Sequence, residues 1–158
     1  MNSFEVQKAH RNNANGIGEV IKTVWPDSDV NVKRIENVLD DPVHSTIVAV
    51  LDGDLAGFVD GFMTTSVNGI RRWEVDLLAV RPDYQRRGIA SVLVQASTNE
   101  GRARGAAVAR GLVAVNNVGS QKSFSHCGFD PDKNQCIIDL VLLRSDRILI
   151  VSLRISHG

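Results

Sequence analysis

Much that would mark a specialised environment is scarce or missing. The 158 residues include only two cysteines, Cys127 and Cys136, too few for a disulfide framework in a chain of this size. Their spacing matches no zinc pattern either, so both are expected reduced and structural, and no metal site is expected. No apolar run approaches the length that spans a bilayer. The N-terminal MNSFEVQKAH lacks the charged-then-apolar layout of a signal peptide, so a cytoplasmic protein with no membrane partner is expected. Net charge is absent as well: 18 basic residues balance 18 acidic ones. A nucleic-acid binder working through phosphate neutralisation is thereby disfavoured. Two familiar nucleotide motifs are also missing, the loop ending Gly-Lys-Ser/Thr and the three-glycine dinucleotide fingerprint.

What is present is the composition of an ordinary globular protein, 43% hydrophobic and 23% charged, long enough for one sizeable core. A single domain over residues 1–158 is expected. The charges are unevenly placed. Met1 to Val80 holds seven Lys/Arg against twelve Asp/Glu, and Arg81 to Gly158 holds eleven against six. The second half is therefore the one suited to an anion.

Periodicity divides the chain into alternating elements. Ser3 to Ala9 predicts a strand, Asn13 to Val24 a helix closed by Trp25-Pro26, and Val30 to Leu39 a second helix closed by Asp40, Asp41 and Pro42. Three antiparallel strands follow, Ser45 to Leu51, Leu55 to Thr65 and Ile70 to Val80. They are joined at Asp52-Gly53 and Asn68-Gly69, dipeptides that tolerate the positive φ of tight hairpins. Gly88 to Arg104 predicts a helix with Ile89, Val92, Leu93, Ala96 and Ala103 on one face. Ala107 to Val115 reads as a buried strand and Asn117 to Cys127 as a short helix. Ile137 to Leu143 and Ile148 to Ile155 read as a last pair of strands around Ser145-Asp146, giving the order βααβββαβαββ.

The stretch RPDYQRRGIASVLVQ, Arg81 to Gln95, joins a strand to a helix through a tight loop. The first-turn N–H groups of that helix have no partner within it. The helix dipole adds roughly half a positive charge there, and Arg86 and Arg87 add full ones. Gly88 and Ala90 keep the turn open for a bulky anion.

Gln85-Arg86-Arg87-Gly88-Ile89-Ala90 fits the pattern Gln/Arg-x-x-Gly-x-Gly/Ala. It follows a strand ending Leu78-Ala79-Val80 and precedes Asn117 and Phe124-Ser-His-Cys-Gly-Phe129. In these features the chain resembles the GNAT superfamily of acetyl-CoA-dependent N-acetyltransferases. The resemblance implies an α/β fold with a splayed, mostly antiparallel seven-stranded mixed sheet and acetyl-CoA inserted where strands four and five part. It implies that the amides of Arg86 to Ser91 hold the pyrophosphate. The backbone of Leu78, Ala79 and Val80 would pair with the pantetheine arm and polarise the acetyl carbonyl, and Asn117 would contact that arm. Phe124 falls at a position on the cofactor side where many relatives carry a tyrosine acid.

Transfer to an amine requires a base, because free α-amines have a pKa of about 8 and lysine amines about 10.4. Glu74 is the first candidate: it stands eleven residues before Gln85, where some members of the resembled family carry a basic glutamate. Asp76 is the second. On an unbulged strand Glu74, Asp76, Leu78 and Val80 would share one face. Phenylalanine at 124 cannot protonate the leaving thiolate, which leaves Ser123, Ser125 or water; a thiol of pKa about 8.5 departs with little help. His126 and Cys127 are helix neighbours that point apart, His10 and His44 are expected at the surface, and Trp25 and Trp73 are expected to pack. An acceptor amine would meet the acidic first half, with Asp27, Asp29, Asp40 and Asp41 near it. The acceptor class stays open between a small molecule and a protein N-terminus. A non-catalytic acetyl-CoA sensor is the competing reading, carried by Phe124, and the C-terminal strands could also pair in a homodimer.

Overall fold

The computed structural model describes residues 3–131 and 148–154. The strands are β1 (Glu5–Lys8), β2 (His44–Leu51), β3 (Asp54–Thr65), β4 (Arg71–Val80), β5 (Val108–Ala114), β6 (Asp130–Pro131) and β7 (Ile148–Arg154). The helices are α1 (Ala14–Val24), α2 (Val32–Asp40), α3 (Ile89–Ala103) and α4 (Val118–His126). One sheet carries all the strands in the order β1-β2-β3-β4-β5-β7-β6. Its body is the five strands from β1 to β5, and the two-residue β6 pairs with β7 at the far edge. The sheet is mixed, because β4 and β5 run parallel. The expected seven-stranded sheet thus has a five-stranded body and one parallel pair, and that pair is the one that shapes the site. The expected strand Ile137 to Leu143, the Ser145-Asp146 turn and Cys136 lie outside the described residues.

Two apolar layers sandwich the sheet. Ile47, Ala49 and Leu51 of β2 face α3 and α4, in a cluster with Trp73, Val75, Leu93, Phe124 and Phe129. Val48 faces the other way, with Phe58, Ala79, Ile17 and Val20 under α1 and α2. Such strict alternation is what a strand covered on both faces requires.

The buried side of α3 differs from the one its periodicity predicts. Ile89, Leu93, Val94, Ser97, Thr98 and Gly101 are buried, whereas Val92 is exposed. Trp73 sets this rotation. It is wholly buried, its Nε1 donates to Ser97 Oγ at 2.9 Å, and a Cβ on Gly101 would stand 2.4 Å from its ring. Polar and small residues therefore occupy the inner face because the indole needs a hydrogen-bond acceptor and a slot.

The turns also carry one correction. Asp52 and Gly53 both have positive φ, 52° and 87°, as a two-residue hairpin turn demands. At Asn68-Gly69 only Gly69 does, at 81°, and the Gly69 N–H donates to Ser66 O. That connection is a wider turn around Val67-Asn68 with glycine closing it.

Candidate functional site

The site begins with a slip in β4. Opposite Asp60 and Gly61 of β3, the register passes from Leu77 to Val75, leaving Asp76 as an extra residue. A bulge of this kind reverses the alternation beyond it. Trp73 and Val75 face α3, yet Leu77 and Ala79 face α1, so Glu74 shares a face with Leu77 and Ala79 and not with Leu78 and Val80. The expected common face of Glu74, Asp76, Leu78 and Val80 is thereby overturned.

The same point is where the sheet splits. β4 and β5 pair from Arg72↔Val108 to Val75↔Gly111 and no further, although both strands continue. From Asp76 onward the outer edge of β4 has no strand beside it among the described residues. A cavity of about 390 Å³ opens along that edge. Leu78, Ala79 and Val80 form its floor, and the start of α3 forms one end.

The loop that delivers α3 is braced from within. Gln85 Nε2 donates to Val80 O at 3.1 Å, which ties the loop to the last residue of β4. Arg86 (φ 61°) and Gly88 (φ 79°) both take the left-handed conformation, turning the chain so that the first N–H groups of α3 face the cavity. A Cβ on Gly88 would meet nothing within 4 Å, so the space before the helix is open. Gln85, Arg86, Gly88, Ile89, Ala90 and Ser91 all line the cavity, as does Asn117. Asn117 also caps α4, its Oδ1 accepting from the Ser120 N–H at 3.0 Å, so a second helix start opens onto the same space.

Two expected cofactor residues lie elsewhere. Arg87 is not in the lining; its guanidinium lies 5.6 Å from the Tyr84 ring, as does that of Arg81. Phe124 is buried in the core and packs edge-on to Phe129 with ring centroids 5.0 Å apart. Conversely, Val24, Trp25, Ser120, Lys122 and Ser123 line the cavity. Trp25 was expected to pack, but it is 37% exposed at the end of α1 and forms a wall. Only its place before Pro26 could have hinted at that. Lys122 gave no signal, because helix α4 has no strong apolar stripe to show which side faces the cleft.

Glu74 and Asp76 stand just beyond the cavity, where the strands part, and their surroundings differ sharply. Arg110 of β5 grips Glu74 with Nη2 at 2.5 Å and Nε at 3.1 Å, and Thr64 Oγ1 donates to it at 2.9 Å. The carboxylate is fully occupied as a strut between strands. Asp76 has no hydrogen-bond or ion-pair partner among the described residues. Desolvation raises its pKa, the Asp60 and Glu74 charges push the same way, and His44 opposes them.

Next to Asp76, Asp60 is buried and accepts two hydrogen bonds, from Thr46 Oγ1 at 2.8 Å and from His44 Nδ1 at 2.7 Å. His44 was expected at the surface, but its side chain is only 24% exposed. The available clue was alternation: His44, Thr46 and Asp60 are polar residues at positions that period two places under α1 and α2. Cys127 is half-buried, its Sγ donates to Ser91 O at 3.2 Å, and burial pushes its thiol pKa up. His126 is exposed. Asp40 pairs with Arg11, and Asp41 Oδ1 accepts from the Val43 N–H, so both have structural partners. Asp27 and Asp29 are exposed in the segment after Trp25. Among the described residues no helix is long and apolar enough to cross a membrane, and no group of three or more His, Cys, Asp or Glu could hold a metal ion.

A strand that parts from its parallel neighbour at a bulge and then feeds a helix start braced by Gln85 is the arrangement of a coenzyme-binding acyl-transfer fold. The family model for the Acetyltransferase (GNAT) family matches residues 8–129, and the chain belongs to that family. No curated protein matches by sequence. Among solved structures, the protein yncA from Salmonella typhimurium, solved with its cofactor acetyl-CoA, superposes with a TM-score of 0.83 at 15% identity, covering 99% of this chain and 96% of that one. An acetyltransferase of the GNAT family from Streptococcus pneumoniae gives 0.80 at 15% identity, with 97% and 100% covered. The PaiA N-acetyltransferase from Thermoplasma acidophilum, in complex with coenzyme A, gives 0.74 at 16% identity, with 97% and 99% covered.

Proposed function

We propose that this protein transfers an acetyl group from acetyl-CoA to a primary amine by direct attack, the amine belonging to a small molecule or a protein N-terminus. The observation that carries the reading is the outer edge of β4, which has no strand beside it among the described residues and runs from Asp76, whose carboxylate has no hydrogen-bond or ion-pair partner among them, to the anion cradle at the start of α3. Solved relatives hold acetyl-CoA or CoA. The residues here fit the same cosubstrate. The Arg86 to Ser91 amides and the Arg86 charge suit a pyrophosphate, and the edge at Leu78 and Ala79, with no strand beside it among the described residues, offers an extended arm strand-like hydrogen bonds.

The roles then follow from chemistry. A β4 amide beside Leu78 stabilises the charge that develops on the thioester oxygen. Asp76, the open carboxylate, draws in the acceptor as its ammonium form. Glu74 is committed to Arg110 and Thr64 and serves as structure. The thiolate leaves beside Ser123, which lines the cavity while its hydroxyl donates to Gly119 O at 3.1 Å, so water supplies the proton that Phe124 cannot.

Steady-state kinetics of Asp76→Asn test this reading. The expected result is a fall of about 10-fold in kcat/KM for the amine, with the Kd for acetyl-CoA unchanged. An unchanged kcat/KM would remove Asp76 from the acceptor site.

A further inference from the structure

Any amine that arrives as an ammonium must lose a proton before it can attack, and Asp76 as an anchor does not account for where that proton goes. Two rows of side chains cross the sheet under α1 and α2. Thr46, Asp60 and Leu77 are register partners in one row, and His44, Phe62, Glu74 and Arg110 in the next. His44 and Asp60 therefore sit on the same sheet face as Glu74, beside the bulge that carries Asp76.

The pair is built as an oriented base. Asp60 is 7% exposed, and Thr46 and His44 occupy its two oxygens, so the carboxylate is unsuited to receive a proton itself. It accepts the Nδ1–H of His44, which fixes the tautomer and leaves the Nε2 lone pair as the open acceptor. No protein group among the described residues hydrogen-bonds Nε2. The ring is steadied from the side by Phe62, with centroids 5.2 Å apart. An imidazole held at one nitrogen with the other open can take a proton from an amine and return it to water.

From these contacts we infer that His44 is the base of the reaction and Asp60 its positioning residue. The inference rests on the amine-acetyltransferase reading. In the step, His44 Nε2 takes one proton from the ammonium. The amine nitrogen then bonds to the acetyl carbon, the carbon–sulfur pair leaves with sulfur, and the second nitrogen proton ends on the thiolate. His44 returns its proton to solvent, so one amide, one CoA thiol and one proton are formed. Asp60 on β3 bonds the imidazole and Asp76 on β4 feels its charge, with Glu74 and Arg110 further along the same row; from α3, Arg104 Nη2 reaches only the His44 carbonyl, at 3.4 Å, with Glu100 as its ion-pair partner.

The test is the pH profile of kcat/KM for an amine drawn from a screen, with CoA release as the readout, in the unmodified protein, His44→Gln and Asp60→Asn. Thermal shift with acetyl-CoA is recorded for each. In the unmodified protein kcat/KM falls on the acid side as the base is protonated. His44→Gln lowers the rate about 100-fold and abolishes that limb, while the acetyl-CoA shift persists. Asp60→Asn lowers the rate and moves the limb. If His44→Gln is poorly folded, rescue of His44→Ala by added imidazole carries the test in its place. Retention of both rate and limb in His44→Gln overturns the base assignment alone. An unmodified chain that binds acetyl-CoA but releases no CoA with any amine overturns the transferase reading, and the base with it.

Discussion

Three carboxylates within one patch show how the partner of a residue, more than its type, decides its role. Asp60 is tied on both oxygens, Glu74 is gripped by Arg110, and Asp76 has no hydrogen-bond or ion-pair partner among the described residues. Glu74→Gln is expected to leave turnover and its pH profile unchanged. It should lower stability by about 1 kcal/mol, because a partly exposed pair contributes little more than that, and urea denaturation checks the loss. Asp76 makes the opposite prediction. Desolvation and like charges raise its pKa above the unfolded value of 3.8, so the folded state holds the proton more tightly than the unfolded chain. Its stabilising effect is therefore full below that value and is lost as pH rises through the folded pKa. Asp76→Asn should accordingly melt higher than the unmodified protein at pH 7 and lose that advantage near pH 3, as calorimetry at the two pH values would show. Residue identity made Glu74 and Asp76 candidates from the start. Choosing between them needed Arg110, which stands 36 positions away in the chain and meets Glu74 only through β4–β5 pairing.

At the scale of elements, most strands and helices were legible because their periodicity is clean. The β2–β4 hairpins and α1 are examples, since alternation and helical spacing are local properties. Two features were hidden for the same physical reason. The bulge at Asp76 and the rotated inner face of α3 are both settled by partners distant in sequence: the β3 register in one case, Trp73 in the other. The second yields a test. Gly101→Val would push a side chain into the Trp73 ring, where even a Cβ stands 2.4 Å away. Overpacking of that kind costs about 2 kcal/mol, which in a domain of this size lowers Tm by roughly 4–8 °C. The anion cradle was readable from Gln85 to Ser91, because a helix start exposes its amides whatever surrounds it. Its far wall at Trp25 and Lys122 was not, because it comes from elements that close over the cleft only in the folded chain.

Across the whole molecule, the opposite charge balances of the two halves acquire a spatial meaning. The acidic half supplies Asp60, Glu74 and Asp76 beside the bulge, while the basic half supplies Arg86 and Lys122 to the cavity. Between them the outer edge of β4 has no strand beside it among the described residues, so an anionic cosubstrate and a cationic acceptor would approach from the two ends of one edge. Saturating acetyl-CoA should raise stability by about 2.7 kcal/mol at a hundred times its Kd, several degrees in Tm. Binding alone, however, does not separate a transferase from a sensor. The decisive measurement is release of free CoA from acetyl-CoA in the presence of a broad panel of small amines and N-terminal peptides. Thiol release that depends on the added amine and saturates with it is the predicted result. Tight acetyl-CoA binding with no release above the amine-free background across the panel would contradict the account.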